Sequence, residues 1–396
     1  RVIAANKFKK NGKWCLSQIT AFGYLGKMKW SYDYSGYKLS RDRAEEKAYL
    51  KAMEEKYDIR FLCWSGEPDE ETKFKAIRNM MESEKKEIPL SDEVRQEVHM
   101  YCKQNYLHFF FDKFDYPEEA RKCLISALQR IYGNTAAALK LEQLLSRYRE
   151  SMNCDYKGLI EEMKSLSGET GINEHTGYLL MFVLMSEILR DYYKERGVDS
   201  DMWKRCMFDL KYKLLECRAV YGNWGTFVPG WFPGFFNMTR FAFEKLQFEA
   251  IRFGEDYSKN GVVLTPDSTV LNVHIPRTGT RLDRESVDRA YAQAKEFFSD
   301  KFIDRPTVFV CDSWLLFPRH KEMLKPWSNL LSFISDYDII RSGEYKDYHE
   351  VWRLFDMNYT PDLSKLPADT SLRRSYIELM KIGEKTGWGR GVYIYG

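Results

Sequence analysis

No two of the eight cysteines (Cys15, Cys63, Cys102, Cys123, Cys154, Cys206, Cys217 and Cys311) stand in a C-x-x-C spacing, so neither a zinc knuckle nor a redox disulfide is expected. Histidine is scarce as well, with six in 396 residues, and no group of His and carboxylates has metal-ligand spacing. No metal is therefore anticipated. The chain has no phosphate loop ending in Gly-Lys-Ser/Thr and no G-x-G-x-x-G fingerprint, which removes the two commonest nucleotide signatures. No stretch approaches the ~20 apolar residues that span a bilayer, and Arg1 to Asn6 lack the long apolar core of a signal peptide. The first residue is not Met, which leaves room for a start further upstream. Net charge is low too: 61 Lys and Arg against 58 Asp and Glu give +3, so no global attraction to nucleic acid or membrane is built in. Dispersed thiols in a chain that needs no disulfide staples read as reduced core residues, and the expected setting is cytoplasmic.

What is present is 44% hydrophobic composition, enough for ordinary cores in two or three domains. Residues 1–43 hold ten basic and two acidic side chains among eight Trp, Tyr and Phe. That mixture can track a nucleic-acid backbone, but alternating Tyr, Trp and Lys describe strands with one wet face better. Nucleic acid is not the expected partner. Helices are predicted over 41–57 and 70–85, with a strand at Ile59 to Trp64 between them. Ile88-Pro89-Leu90-Ser91-Asp92 marks a boundary, with Ser91 as the cap of the next helix.

From there to Tyr221 the periodicity is helical. Pro117 opens one helix that Gly133 ends, a second apolar one covers His175 to Tyr193, and Asp199 to Val220 presents Met202, Trp203, Cys206, Leu210, Leu214 and Cys217 on one face. A turn-rich aromatic linker follows, including Pro229-Gly230-Trp231-Phe232-Pro233-Gly234. Beyond it strands and helices alternate. Strands are predicted at Leu246 to Phe253, Val270 to Ile275, Thr307 to Val310, Leu330 to Ile334, Ile339-Ile340, Val351 to Phe355 and Val392 to Tyr395. Helices are predicted from Asp283 to Glu296, Pro318 to Leu324 and Ser371 to Ile382. The expected class is α+β: a helical bundle domain at 96–222, a mixed α/β domain at 223–396, and a small α/β extension at 1–95.

The most informative stretch is Val270 to Phe298. An apolar strand breaks at Pro276 into Arg277-Thr278-Gly279-Thr280-Arg281 and then a helix whose N-cap is Asp283. Loop amides and a helix N-terminus make an anion cradle, and two arginines add charge. His274, just before the loop, is the best candidate for a general base. Cys311 could act as a nucleophile with His274 as its base, though a lone Cys ending an apolar strand is more often core. Ser313 could donate to a reacting sulfur or oxygen, or cap the following turn. Strand alternation puts Cys311 and Ser313 on one face and Asp312 on the other.

The order of features over residues 96–396 resembles a bacterial two-domain family of acyltransferases, in which a helical N-acyltransferase N-terminal domain precedes a domain of the GNAT type. The resemblance rests on Tyr192-Tyr193-Lys194-Glu195-Arg196-Gly197, Tyr221-Gly222-Asn223-Trp224-Gly225, Leu246-Gln247-Phe248-Glu249 and Val273-His274-Ile275-Pro276. Cys311-Asp312-Ser313-Trp314-Leu315-Leu316 and the tail from Thr370 through Gly389-Arg390-Gly391 complete it. It implies a coenzyme A thioester as co-substrate, with Val273 and Ile275 on the strand edge beside the pantetheine arm. The phosphates would lie on Arg277, Thr278, Gly279, Thr280 and Arg281. It also implies a small-molecule or peptide amine acceptor, with His274 as base and Ser313 as donor to the departing thiolate. The superfamily loop reads Q/R-x-x-G-x-G/A; with its first glycine on Gly279, Pro276 takes the leading position and Arg281 the final one. Two further readings stand beside this one: a Cys311–His274 thioester hydrolase, and a non-catalytic binding protein.

Overall fold

The computed structural model describes residues 2–10, 13–22, 30–38, 60–65, 92–279 and 282–395. The helices predicted over 41–57 and 70–85, the cap at Ser91, and the loop residues Thr280 and Arg281 lie outside the described residues. The chain forms two compact units that divide between Leu144 and Leu145, the segment Glu169–Ile172 belonging to the first.

In the first unit, strands β1 (Val2–Lys10), β2 (Lys13–Phe22), β3 (Trp30–Lys38) and β4 (Arg60–Ser65) form a sheet in the order β3-β2-β1-β4. β1 pairs antiparallel with β2 and parallel with β4. Helices α1 (Asp92–Lys113), α2 (Glu118–Tyr132) and α3 (Thr135–Glu150) follow, the division of units falling within α3. Of the inner face that its periodicity predicts, Cys123, Leu124, Ala127, Leu128 and Ile131, α2 buries all but Cys123, which is half-buried. Its Arg121 donates to the carbonyls of Phe111, in the last turn of α1, and Tyr116, in the connection that follows, at 3.0 and 2.8 Å.

The second unit holds α4 (Tyr156–Glu169), α5 (Glu174–Glu195), α6 (Ser200–Tyr221) and a six-stranded mixed sheet. α5 is apolar nearly all round and accordingly buried from Thr176 to Ile188 apart from Glu187. α6 starts on the Asp199 cap and stops at Gly222, whose φ of 72° is the left-handed C-terminal conformation that glycine adopts without strain. Its whole apolar stripe from Met202 to Cys217 is buried.

The sheet order is β11-β12-β10-β9-β6-β5, with β5 (Arg240–Phe243), β6 (Leu246–Arg252), β9 (Thr269–His274), β10 (Thr307–Ser313), β11 (Asp338–Glu344) and β12 (Gly387–Tyr395). Between β6 and β9 lies a small hairpin, β7 (Tyr257–Lys259) and β8 (Val262–Leu264). β9 and β10 are the parallel pair in the six-stranded sheet; α7 (Arg284–Phe297) connects them and buries Val287, Ala290, Tyr291 and Ala294. The class is α+β, and in this second unit the helices come first and the six-stranded mixed sheet after them.

Four sequence expectations change here. Leu330 to Ile334 lies in α8 (Asn329–Ser335), not a strand, and Val351 to Phe355 forms a 3-10 turn and a short helix. Apolar runs this short do not carry enough periods to separate helix from strand. β5 was hidden in the linker, since four residues give no alternation to read. The last strand begins at Gly387, five residues earlier than its apolar tail suggests. Its glycines are steric: a Cβ on Gly389 would sit 2.2 Å from the Leu316 carbonyl oxygen, so the turn after β10 can lie on β12 only if that position is bare. The capped helix predicted from Ser371 is α9 (Ser371–Lys381), with Thr370 accepting from the Arg373 amide.

Candidate active site

The ladder between β9 and β10 pairs Leu271 with Phe309 and Asn272 with Val310 and goes no further. β9 stays on β6 as far as His274 opposite Gln247, while β10 stays on β12 as far as Ser313 opposite Gly389. The two parallel strands therefore part at their C-terminal ends, where ligands lodge in open α/β sheets because backbone groups there are left unpaired. His274 is the last residue of β9 at this parting.

Pairing also fixes faces, because residues opposite one another point the same way and neighbours along a strand point oppositely. Asn272 and His274 share the face of Gln247, Glu249, Val310 and Asp312; Val273 shares the other with Phe309, Cys311 and Ser313. His274 and Cys311 thus lie on opposite sides of the sheet. Cys311 is fully buried, and desolvation pushes its thiol well up, which removes the thiolate that covalent catalysis requires. Cys311 belongs to the core, a correction to its candidacy as nucleophile. Cys311→Ala should leave transfer kinetics unchanged, and intact-mass analysis after incubation with an acyl-CoA should show no adduct on the parent protein; a stable acyl mass on Cys311 would reverse this. Ser313 caps the 3-10 turn Trp314–Leu316, its Oγ accepting from the Leu315 amide at 3.2 Å.

Around His274 a buried polar network assembles. Its Nε2 lies 2.6 Å from Glu249 Oε1, and because a carboxylate can only accept, Nε2 carries the proton and Nδ1 is left as the acceptor. Asn272 Nδ2 donates to the same oxygen at 3.3 Å. Arg240, opposite Glu249 in the β5–β6 register, grips both carboxylate oxygens at 3.1–3.2 Å. Burial works to raise the Glu249 carboxyl, but the hydrogen bond to His274 and the Arg240 charge outweigh it and carry it down to about 2. Burial lowers the imidazole against the raising influence of Glu249, which favours its neutral form. Trp231 stands edge-on to the imidazole, ring centres 4.9 Å apart at 83°, and Arg240 stacks on the indole at 4.1 Å. Trp231 Nε1 and Gln247 Nε2 both donate to Asp209 of α6, at 2.8 and 2.9 Å.

The loop beyond His274 is organised differently from a bare cradle. Val273 is buried, Ile275 and Thr278 are half-buried, and Gly279 has a φ of 74° with open space where a Cβ would be. Arg277 forms an ion pair with Asp356, which also binds Arg373 at 2.7 Å. At the start of α7, Asp283 accepts from the Ser286 amide at 2.9 Å and pairs with Lys245 at 2.6 Å, so this helix end already carries a carboxylate of the chain.

The other well-placed histidines have structural duties. His320 bridges the Leu315 carbonyl and the Tyr376 hydroxyl at 2.9 and 2.5 Å. His175 Nδ1 lies 3.6 Å from Cys217 Sγ, whose thiol burial pushes up to about 12. Among the described residues no group of three or more His, Cys, Asp or Glu could hold a metal ion, and no helix is long and apolar enough to cross a membrane. Sequence reasoning missed Glu249, Arg240, Trp231 and Asp209; the usable signal was the spacing of Arg240 and Glu249, which pairs them across a two-residue turn once β5 is recognised.

Comparison with known proteins assigns two successive domains to the chain. Residues 105–238 match the N-acyltransferase N-terminal domain and residues 241–393 the GNAT-like C-terminal domain. An acyltransferase in complex with decanoyl-CoA and teicoplanin shares the fold, with a TM-score of 0.57 and 19% identity over 73% of this chain and 87% of that one. An acyltransferase with decanoyl-CoA gives 0.57 and 20%, and one with CoA and 10C-teicoplanin gives 0.55 and 19%, at the same coverage of both chains. No curated protein matches the chain. With both domain models matched in order and nearly end to end, the chain belongs to the two-domain N-acyltransferase family in which an N-acyltransferase N-terminal domain precedes a GNAT-like C-terminal domain.

Proposed function

We propose that the protein transfers an acyl group from a coenzyme A thioester to an amine on a small molecule or peptide. The carrying observation is the His274–Glu249 pair at the parting of β9 and β10. The thioester lies in that gap with its pantetheine along the strand edge at Val273 and Ile275. The acceptor nitrogen attacks the thioester carbonyl, His274 Nδ1 takes the amine proton, the C–S bond breaks as the C–N bond forms, and the thiolate leaves to be protonated as free coenzyme A. Glu249 keeps Nε2 protonated and counters the charge as the imidazolium forms, the part an orienting carboxylate plays beside a histidine base. Ser313 is half-buried on the opposite face at the end of β10, and its Oγ could turn from the Leu315 amide toward the departing sulfur. An acyltransferase of similar fold is found in complex with decanoyl-CoA and teicoplanin, which supports a coenzyme A thioester and a separate acceptor as the two substrates.

The test is release of free thiol from a series of acyl-CoA thioesters, acetyl to decanoyl, with and without a panel of amines and short peptides. Amine-dependent release is expected. Coenzyme A binding without release under any pairing would favour the non-catalytic reading, and release that ignores amines would favour a hydrolase. The phosphate cradle makes a separate prediction: replacing Arg277 and Arg281 together with Gln should weaken coenzyme A binding by about ten- to a hundredfold, as expected for losing one or two charge-assisted contacts. Unchanged affinity by calorimetry would take these arginines out of the site.

A further inference from the structure

Asp209 is 1% exposed, yet its carboxylate is held by two neutral donors, Trp231 Nε1 and Gln247 Nε2, one on each oxygen. Both donors bear on His274: Trp231 stands across the imidazole, and Gln247 lies directly opposite His274 on β6. From this geometry we infer that Asp209, on α6 of the helical part of the chain, is a positioning residue for the base, anchoring Trp231 and Gln247 against the imidazole and facing it with negative charge. The inference rests on the transfer reaction proposed above.

The reasoning is electrostatic as well as steric. The charged groups acting on the imidazole are Glu249 from β6, Arg240 from β5 and Asp209 from α6. Its own strand contributes neutral Asn272, and the linker contributes Trp231. Lys213, one turn beyond Asp209, stands over the same Trp231 indole at 5.6 Å and is neutralised by Glu216 at 2.8 Å. Arg240 balances Glu249, so with a neutral imidazole the set of +1, −1 and −1 sums to −1, and uptake of the substrate proton brings it to zero. Asp209 supplies that surplus charge. A group held away from water acts strongly on a neighbouring charge, so it favours the imidazolium as the amine proton arrives. The bond from Trp231 keeps the indole from rotating off the ring while this happens, and the bond from Gln247 holds the carboxylate that anchors it.

Asp209→Asn separates charge from shape. Asn accepts from Trp231 Nε1 through its oxygen, and a flip of the Gln247 amide lets Gln247 Oε1, which has no partner in the structure, accept from the new Nδ2. The variant should lower kcat by about tenfold with the KM for acyl-CoA unchanged. It should also move the acid limb of the pH–rate profile to lower pH, because loss of the negative charge disfavours the imidazolium. Nuclear magnetic resonance of the His274 imidazole should show the same displacement in the absence of substrate. His274 titrating in Asp209→Asn as it does in the parent protein would overturn the inference. If Asp209→Asn does not fold, Trp231→Phe keeps a ring on the imidazole but removes the anchored N–H. A lower kcat with unchanged KM is expected for it, and parent kcat in that variant would overturn the anchoring. Absence of transfer by the parent protein would remove the proposed reaction, while the imidazole titration would still test the link between Asp209 and His274.

Discussion

Replacing His274 with glutamine should lower turnover by about 10²- to 10⁴-fold, the usual loss when a positioned general base is removed. The affinity for coenzyme A and the thermal midpoint should stay at their parent values. Glutamine is the informative substitution because its amide can still donate to Glu249 Oε1, which His274 meets at 2.6 Å, and can still fill the space beneath Trp231. What it lacks is a nitrogen able to take a proton. The parent enzyme should lose kcat/KM as the pH falls through the folded-state value of His274, which burial holds below the ordinary imidazole value. In His274→Gln that acid limb should disappear. Turnover equal to the parent across roughly pH 6 to 9 would exclude His274 and turn attention to Ser313 or a bound water.

Much of this site was readable because local chemistry announced it. The Asp283 cap, the break at Pro276 and the apolar run ending in His274 are short-range signals, and each became the expected element. α6 was equally legible, because its apolar stripe lies within one helix. The partners of His274 were not, because they arrive by register. Glu249 reaches the imidazole only through the β6–β9 pairing, and Arg240 reaches Glu249 only through a strand too short to show a period. Asp209 and Trp231 come from a helix face and a turn that read as ordinary packing. The separation of Cys311 from His274 has the same origin. Alternation along β10 correctly grouped Cys311 with Ser313, but only the β9–β10 register reveals which face His274 takes. The pairing of Arg277 with Asp356 spans 79 positions and leaves no local trace.

Glu249 is the partner whose loss should be felt in both stability and rate. In Glu249→Gln the Arg240 guanidinium, 8% exposed, remains in the sheet without its counter-charge, and breaking a buried pair from one side costs about 3–5 kcal/mol. For a unit of this size that corresponds to a fall of about 6–20 °C in the midpoint at neutral pH. The pH dependence fixes the cause. Glu249 has a folded-state value held down to about 2, so its stabilisation is fully present above the ordinary carboxyl value of 4.5 and is lost as the pH falls toward 2. His274, also lowered, adds a loss that starts nearer its ordinary value of 6.5 in both proteins. The gap between parent and variant midpoints should therefore be widest at neutral pH and narrow below about pH 4.5. Turnover at neutral pH should fall by at least about tenfold, because glutamine can accept from Nε2 but cannot counter the imidazolium that forms when the amine is deprotonated. A midpoint unchanged at neutral pH, or a gap between the two proteins that does not vary with acid, would mean that Arg240 is compensated elsewhere and that Glu249 does not hold the base.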